Sequence, residues 1–225
     1  MQRALESAGI PARRRRQLLA GQFQPYNHTL PDRYPWLFRF AADVLPAHED
    51  PRLLSFGCSV GDEVFALAEY FPQAKIKGLD IDPRNIARAR WRARAASADR
   101  VWFATARDTS GERPAAYDAV FCLAVLCNGD LINSGAPRCD PLITFAAFEA
   151  IVTDFARCLR RGGHLFLLSA NFRFCDTAVA SEFEVVCRAD PVHLSPQVLF
   201  DHDNTLMPGA QYHDVGFRKS GAPDG

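Results

Sequence analysis

The residues best suited to chemistry lie in two short segments. The first is Gly57-Cys58-Ser59-Val60-Gly61-Asp62-Glu63. Its two glycines permit a tight turn and a close backbone approach, and small Cys58 and Ser59 leave room between them. A helix starting at Asp62–Glu63 would point its free N–H groups into the same space, where a carboxylate or phosphate is favoured. The second segment is Gly78-Leu79-Asp80-Ile81-Asp82-Pro83, in which Asp80 follows Gly57 by 23 residues. An acidic side chain at that distance can accept both hydroxyls of a ribose, and Ile81 can lie against an adenine face. Glycine loop, helix start and acidic strand end together imply an adenosine-containing ligand.

Two kinds of ligand use such a loop. A dinucleotide fingerprint needs Gly-x-Gly-x-x-Gly, so that glycines face a pyrophosphate. This chain has Ser59 in place of one glycine, and Asp62–Glu63 where a pyrophosphate would be repelled. A nicotinamide-dependent oxidoreductase is therefore the nearest rival enzyme, and the glycine spacing counts against it. A ligand that carries an amino group suits Glu63 better.

The elements that must position these residues alternate. Short apolar strands are expected at 52–56, 75–79, 101–106, 118–125 and 164–170, with helices at 62–71 and 84–96. The strongest helical pattern repeats Phe145, Phe148, Val152, Phe155 and Leu159, and Gly162–Gly163 are read as its stop. Strand–helix alternation predicts an α/β fold, doubly wound, with a mainly parallel sheet covered on both faces. Residues 184–188, 198–201 and 212–219 read as strands, the last two joined in a closing hairpin through DNTLMPGAQ. Ahead of the first strand, residues 36–44 are helical and 21–35 irregular, rich in Pro and aromatic residues.

Composition sets the wider bounds. The chain has 225 residues, 48% of them hydrophobic, and 26 basic residues balance 26 acidic ones. That size supports one sizeable core and excludes disordered, collagen-like and coiled-coil classes. A zero net charge disfavours a protein that coats nucleic acid or anionic membrane. The arginine clusters at 13–16 and at 84, 88, 90, 92 and 94 are read as a basic arm and a solvated helix face. Seven cysteines without a Cys-x-x-Cys pair, and no apolar stretch of signal-peptide or membrane-span length, point to a cytoplasmic protein with reduced thiols. The spacing of Cys122, Cys127 and Cys139 matches no standard zinc arrangement, so no metal is expected.

RLLSFGCSVGDE, GLDIDPRNIARAR, YDAVFCLAVL and LRRGGHLFLLS, in that order, resemble the motif series of class I S-adenosylmethionine-dependent methyltransferases. The resemblance covers roughly residues 50–171. It implies a Rossmann-like, seven-stranded sheet with an antiparallel C-terminal hairpin, and S-adenosylmethionine as cofactor. One domain is expected, with residues 1–50 as a helical lid, 51–171 as the cofactor-binding part and 172–225 as the C-terminal strands. Carried over, Gly57, Cys58, Ser59 and Gly61 would wrap the methionine part, Glu63 would meet its ammonium, Asp80 the ribose and Ile81 the adenine. Asp108 is the implied partner of the adenine amino group, with Ala106 and Arg107 the alternatives, and Leu123 would pass behind the sulfonium. Ser55 stands where the family's usual acid precedes the loop. GCSVGDE is also similar to the cofactor loop of chemotaxis-receptor glutamate methyltransferases, in which the last acid approaches the cofactor's amino acid end. Those enzymes carry Arg-Asn where this chain has Leu123–Ala124, so their substrate does not carry over.

The motifs identify a cofactor and leave the acceptor to the covering segments. A small-molecule acceptor is expected, with His28, Tyr34, Asn171 and Arg173 as candidate contacts. An RNA or protein acceptor, and a non-catalytic S-adenosylmethionine-binding module, are the alternatives.

Overall fold

The computed structural model describes residues 23–27, 29–45, 50–140 and 142–221. The basic arm at 13–16 and His28 lie outside the described residues. Strands β1 (Arg52–Phe56), β2 (Lys75–Asp80), β3 (Val101–Thr105), β4 (Tyr117–Leu123), β5 (Leu159–Leu168), β6 (Phe183–Arg188) and β7 (Asp214–Lys219) form one sheet. Their order is β3-β2-β1-β4-β5-β7-β6. Strands β1 to β5 pair in parallel, and β7 runs antiparallel between β5 and β6. The seven-stranded, doubly wound arrangement is the one expected from the sequence. Strand order reverses between β1 and β4, so a crevice opens outside their carboxyl ends.

Helices α1 (Pro35–Val44), α2 (Asp62–Tyr70), α3 (Pro83–Ala95) and α4 (Phe145–Cys158) cover the two faces. Strand β4 shows why two cores form. Its side chains alternate, so Val120 and Cys122 join α4's Phe148, Val152 and Phe155, while Ala119 and Phe121 join Leu37, Val64 and Ile86 on the other face. Every residue of β4 is buried, as a central strand covered on both sides must be.

Two expectations are corrected. Helix α4 ends at Cys158, and Arg160 to Gly163 already belong to β5. Leu159 pairs with Tyr117, and the ladder resumes at Ala119 and His164, so the intervening residues bulge. The glycines permit that bulge: Gly162 has φ +73°, and a Cβ on Gly163 would lie 2.9 Å from the Arg160 carbonyl. Arg160 thereby reaches buried Asp118 at 2.9 Å. The closing hairpin is also differently made. Strand β7 pairs with β6 and β5, leaving no edge for residues 198–201, which keep only a bridge from Phe200 to Leu206. Residues 189–213 are a long connection instead.

Candidate functional site

A cavity of about 340 Å³ opens at the carboxyl ends of β1, β2 and β4. The glycine loop curls around it. The N–H groups of Gly57 and Cys58 both donate to the Leu79 carbonyl, at 2.7 and 2.9 Å, fastening the loop to the end of β2. Gly57 has φ +77°, and a Cβ there would come within 2.4 Å of Val125, so only glycine fits without movement. Ser59 takes φ +52° and donates its N–H to Asp80 Oδ2 at 2.8 Å. Asp80 Oδ1 accepts from the N–H of Asp82 at 2.8 Å and from Asn85 Nδ2 at 3.2 Å. Asp80 is thus the buckle between loop, strand end and the first turn of α3. Burial raises its pKa, while the Asp82 and Ser59 N–H groups and the Asn85 amide oppose the rise.

The two acids at the start of α2 part company. Asp62 turns to Arg92 at 2.6 Å, and the same Arg92 nitrogen donates to the Val60 carbonyl at 2.8 Å. Arg90 donates to the Phe103 carbonyl at 3.0 and 2.8 Å. Two arginines of the α3 cluster therefore hold the fold together. Glu63 instead lines the cavity and accepts from Ser55 Oγ at 2.7 Å. Burial pushes its carboxyl up to about 7, against the pull of the Ser55 hydrogen bond and the Arg33 charge. Cys58 lines the cavity as well, its thiol pushed up by burial and then by the charges of Asp80 and Glu63.

Ile81 and Leu123 also line this cavity. Asp108 does not. Its carboxylate accepts from Ser110 N–H at 3.1 Å and Ser110 Oγ at 2.6 Å, which turns it into the following loop. Ala106 and Arg107 line the cavity in its place. Among the acceptor candidates, Tyr34 lines the cavity, and burial pushes its hydroxyl up to about 12. Asn171 and Arg173 are not among the lining residues. Asn171 accepts from the Asn128 N–H at 2.6 Å and donates to the Val198 carbonyl at 2.7 Å. Arg173 is held by Asp176 through two bonds of 2.8 Å.

The segments 23–27 and 29–34 cross the front of the cavity. Gln24 Nε2 donates to Cys127 Sγ at 3.2 Å, and Tyr26 OH to Asp130 Oδ1 at 2.5 Å. Asn27 accepts from Ser59 Oγ and donates to Asn85 Oδ1, the latter at 3.1 Å. Asn27 and Asn85 are site residues that the sequence reading missed. Asn85 had a signal, because it sits in the first turn of the helix that begins just after Asp80. Asn27 had none, since an irregular segment carries no periodicity to aim its side chains.

The cavity fits S-adenosylmethionine in its donor set: the buried carboxyl of Glu63, the carboxylate of Asp80 at a strand end, and apolar Ile81 and Leu123. Residues 54–165 match the family model of a methyltransferase domain. That part of the chain is similar to a methyltransferase domain, and the sheet order is that of a Rossmann-like methyltransferase fold.

Similar solved structures include the YcgJ protein from Bacillus subtilis, 15% identical over 71% of this chain and 55% of that one, with a TM-score of 0.45. Geranyl diphosphate C-methyltransferase from Streptomyces coelicolor is 18% identical over 59% of this chain and 44% of that one, TM-score 0.44. PKMT2 from Rickettsia typhi is 19% identical over 64% and 26%, TM-score 0.46. The chain spans at most 55% of the length of these three structures. No curated protein sequence matches it. Among the described residues, no helix is long and apolar enough to cross a membrane.

Proposed function

We propose that this chain transfers a methyl group from S-adenosylmethionine to a small-molecule acceptor. The observation that carries the reading is the convergence of Ser59, Glu63 and Asp80 on one cavity at the switch point of the sheet. In this reading Gly57, Cys58 and Ser59 surround the methionine part, while Gly61, whose Cβ position faces Phe65 and Phe103 and not the cavity, shapes the end of the loop. Glu63 faces its ammonium, and the Ser55 hydroxyl steadies the carboxylate. Glu63 thus takes over from the acid missing at position 55, in the manner of the loop that GCSVGDE resembles. Asp80 accepts the ribose hydroxyls, Ile81 packs on the adenine, and Ala106 with Arg107 bounds its edge. Leu123 lies behind the reacting centre, and the segments 23–27 and 29–45 form the lid.

The cofactor supplies a methyl group on a positively charged sulfur, already activated for direct displacement. The protein's part is to align the acceptor and keep water out. Tyr34, with its hydroxyl held near 12, stays protonated at neutral pH and donates a hydrogen bond instead of removing a proton.

Isothermal titration tests this reading. S-Adenosylmethionine should bind and NAD should not. Asp80→Ala should weaken binding by at least about a hundredfold, the loss of two hydrogen bonds to a charged group. Failure of S-adenosylmethionine to bind, or an unchanged affinity in Asp80→Ala, overturns it.

A further inference from the structure

A second cavity, of about 620 Å³, is walled by the loop after β4 and by the connection between β6 and β7. It is a fixed feature of those loops. The Met207 N–H donates to the Leu199 carbonyl at 2.9 Å, and the Leu206 N–H to the Pro137 carbonyl at 2.8 Å. The Gln197 side chain grips both backbone groups of Tyr212, donating at 2.7 Å and accepting at 2.9 Å.

The turn Gly129–Leu131 lies between this space and residues of the cofactor cavity. Tyr26, which lines the cofactor cavity, packs so closely on Gly129 that a Cβ there would be 3.1 Å from its ring. Leu131, two residues on, lines the second cavity. Asn171 joins the same two sides, through Asn128 and Val198. The partition is therefore a single hydrogen-bonded unit.

The lining chemistries are opposite. The cofactor cavity presents Glu63, Asp80, Asp82, Arg33 and Arg107. The second presents Leu131, Ile132, Leu194, Val198, Leu199 and Met207, and none of its described lining residues is Asp, Glu, Lys or Arg. His213 is the one titratable side chain among them. A charged ligand would be desolvated there without a counter-charge, which is costly. The volume lies within the range of small-molecule sites.

We propose that the second cavity binds a neutral, apolar small molecule at a site separate from the cofactor cavity. The binding chemistry stands on the lining alone.

The test uses the full chain saturated with S-adenosylhomocysteine, so that the first cavity is closed to the probe. The probes are 1-naphthol and its charged relatives 1-naphthoate and 1-naphthyl phosphate, followed by saturation-transfer NMR and titration. Naphthol should bind, and both anions should bind at least about tenfold more weakly. Ala136→Trp and Ala210→Trp, filling opposite walls, should each weaken naphthol about tenfold while S-adenosylhomocysteine affinity stays within about twofold. Thermal melts show whether either variant has unfolded, and the neutral-versus-anion comparison in the unaltered chain decides the matter without them. Absent naphthol binding, equal binding of the anions, or naphthol affinity untouched in a folded variant overturns the proposal. If S-adenosylhomocysteine fails to bind while the naphthol pattern holds, the methyltransferase reading falls and the cavity's preference for neutral ligands stands.

Discussion

The two cavities share one edge of one sheet, yet the chain builds them by different means. The cofactor cavity lies where strands β1 and β2 turn at once into helices, through loops of a few residues. Backbone hydrogen bonds leave those loops little freedom, and charged groups are placed to within a bond length. The second cavity lies between the loop after β4 and the 189–213 connection, segments that meet only through tertiary contacts. Short connections fix charge, and long ones enclose apolar volume.

Equivalent substitutions in the two regions should break this comparison or sharpen it. Gly57→Ala puts a side chain at φ +77° against Val125, so it should cost about 1–3 kcal/mol of stability and most of the cofactor affinity. Adding Val125→Ala should recover only the part due to the clash. Gly209→Ala, at φ +70° with no atom within 4 Å of the new Cβ, should cost about 1 kcal/mol and leave cofactor binding intact. Equal effects of the two substitutions, by chemical denaturation and titration, would remove the distinction between the regions.

The next effect concerns pH. Glu63 must be ionised to hold an ammonium group, and its carboxyl in the free protein sits at about 7. S-Adenosylmethionine affinity should therefore be full above about 7 and fall by up to about tenfold per unit below it. Glu63→Gln should bind more weakly above that point and lose the pH dependence. Stability runs the other way. A raised carboxyl disfavours the folded state as pH climbs from its ordinary value towards 7, so Glu63→Gln should gain most, relative to the unaltered chain, on the alkaline side. A flat affinity profile in the unaltered chain would detach Glu63 from the cofactor.

The smallest effect is expected at the partition. Tyr26→Phe removes an exposed hydrogen bond to Asp130, worth about 0.5–1.5 kcal/mol at most. It should loosen the segment over the cofactor and weaken S-adenosylmethionine by no more than about tenfold. A larger loss would make Tyr26 a direct contact of the cofactor.

What was legible in the sequence follows local rules. The apolar runs of β1, β2 and β4 and the repeat of Phe145, Phe148, Val152 and Phe155 are periodic, and periodicity is set by backbone geometry. The glycine loop and Asp80 were legible because a strand end and a helix start fix where the intervening residues go. Asp108 turns away from the cavity because its carboxylate closes on Ser110, and nothing in ATARD says that it will. Gly162–Gly163 looked like a helix stop because glycine ends helices and permits bulges alike; only the pairing of Leu159 with Tyr117 selects the bulge.

The sequence by itself therefore determined the doubly wound sheet, the loop at 57–61 and the acid at its second strand end. Each depends on residues within a few positions of one another. Only the tertiary structure decided that Asp62 and Glu63 face different partners, that Asn27 reaches Ser59 and Asn85, and that Asn171 supports a wall instead of lining a site. Those outcomes join residues tens of positions apart, and they are settled by which buried polar group finds a partner once the sheet has brought the loops together.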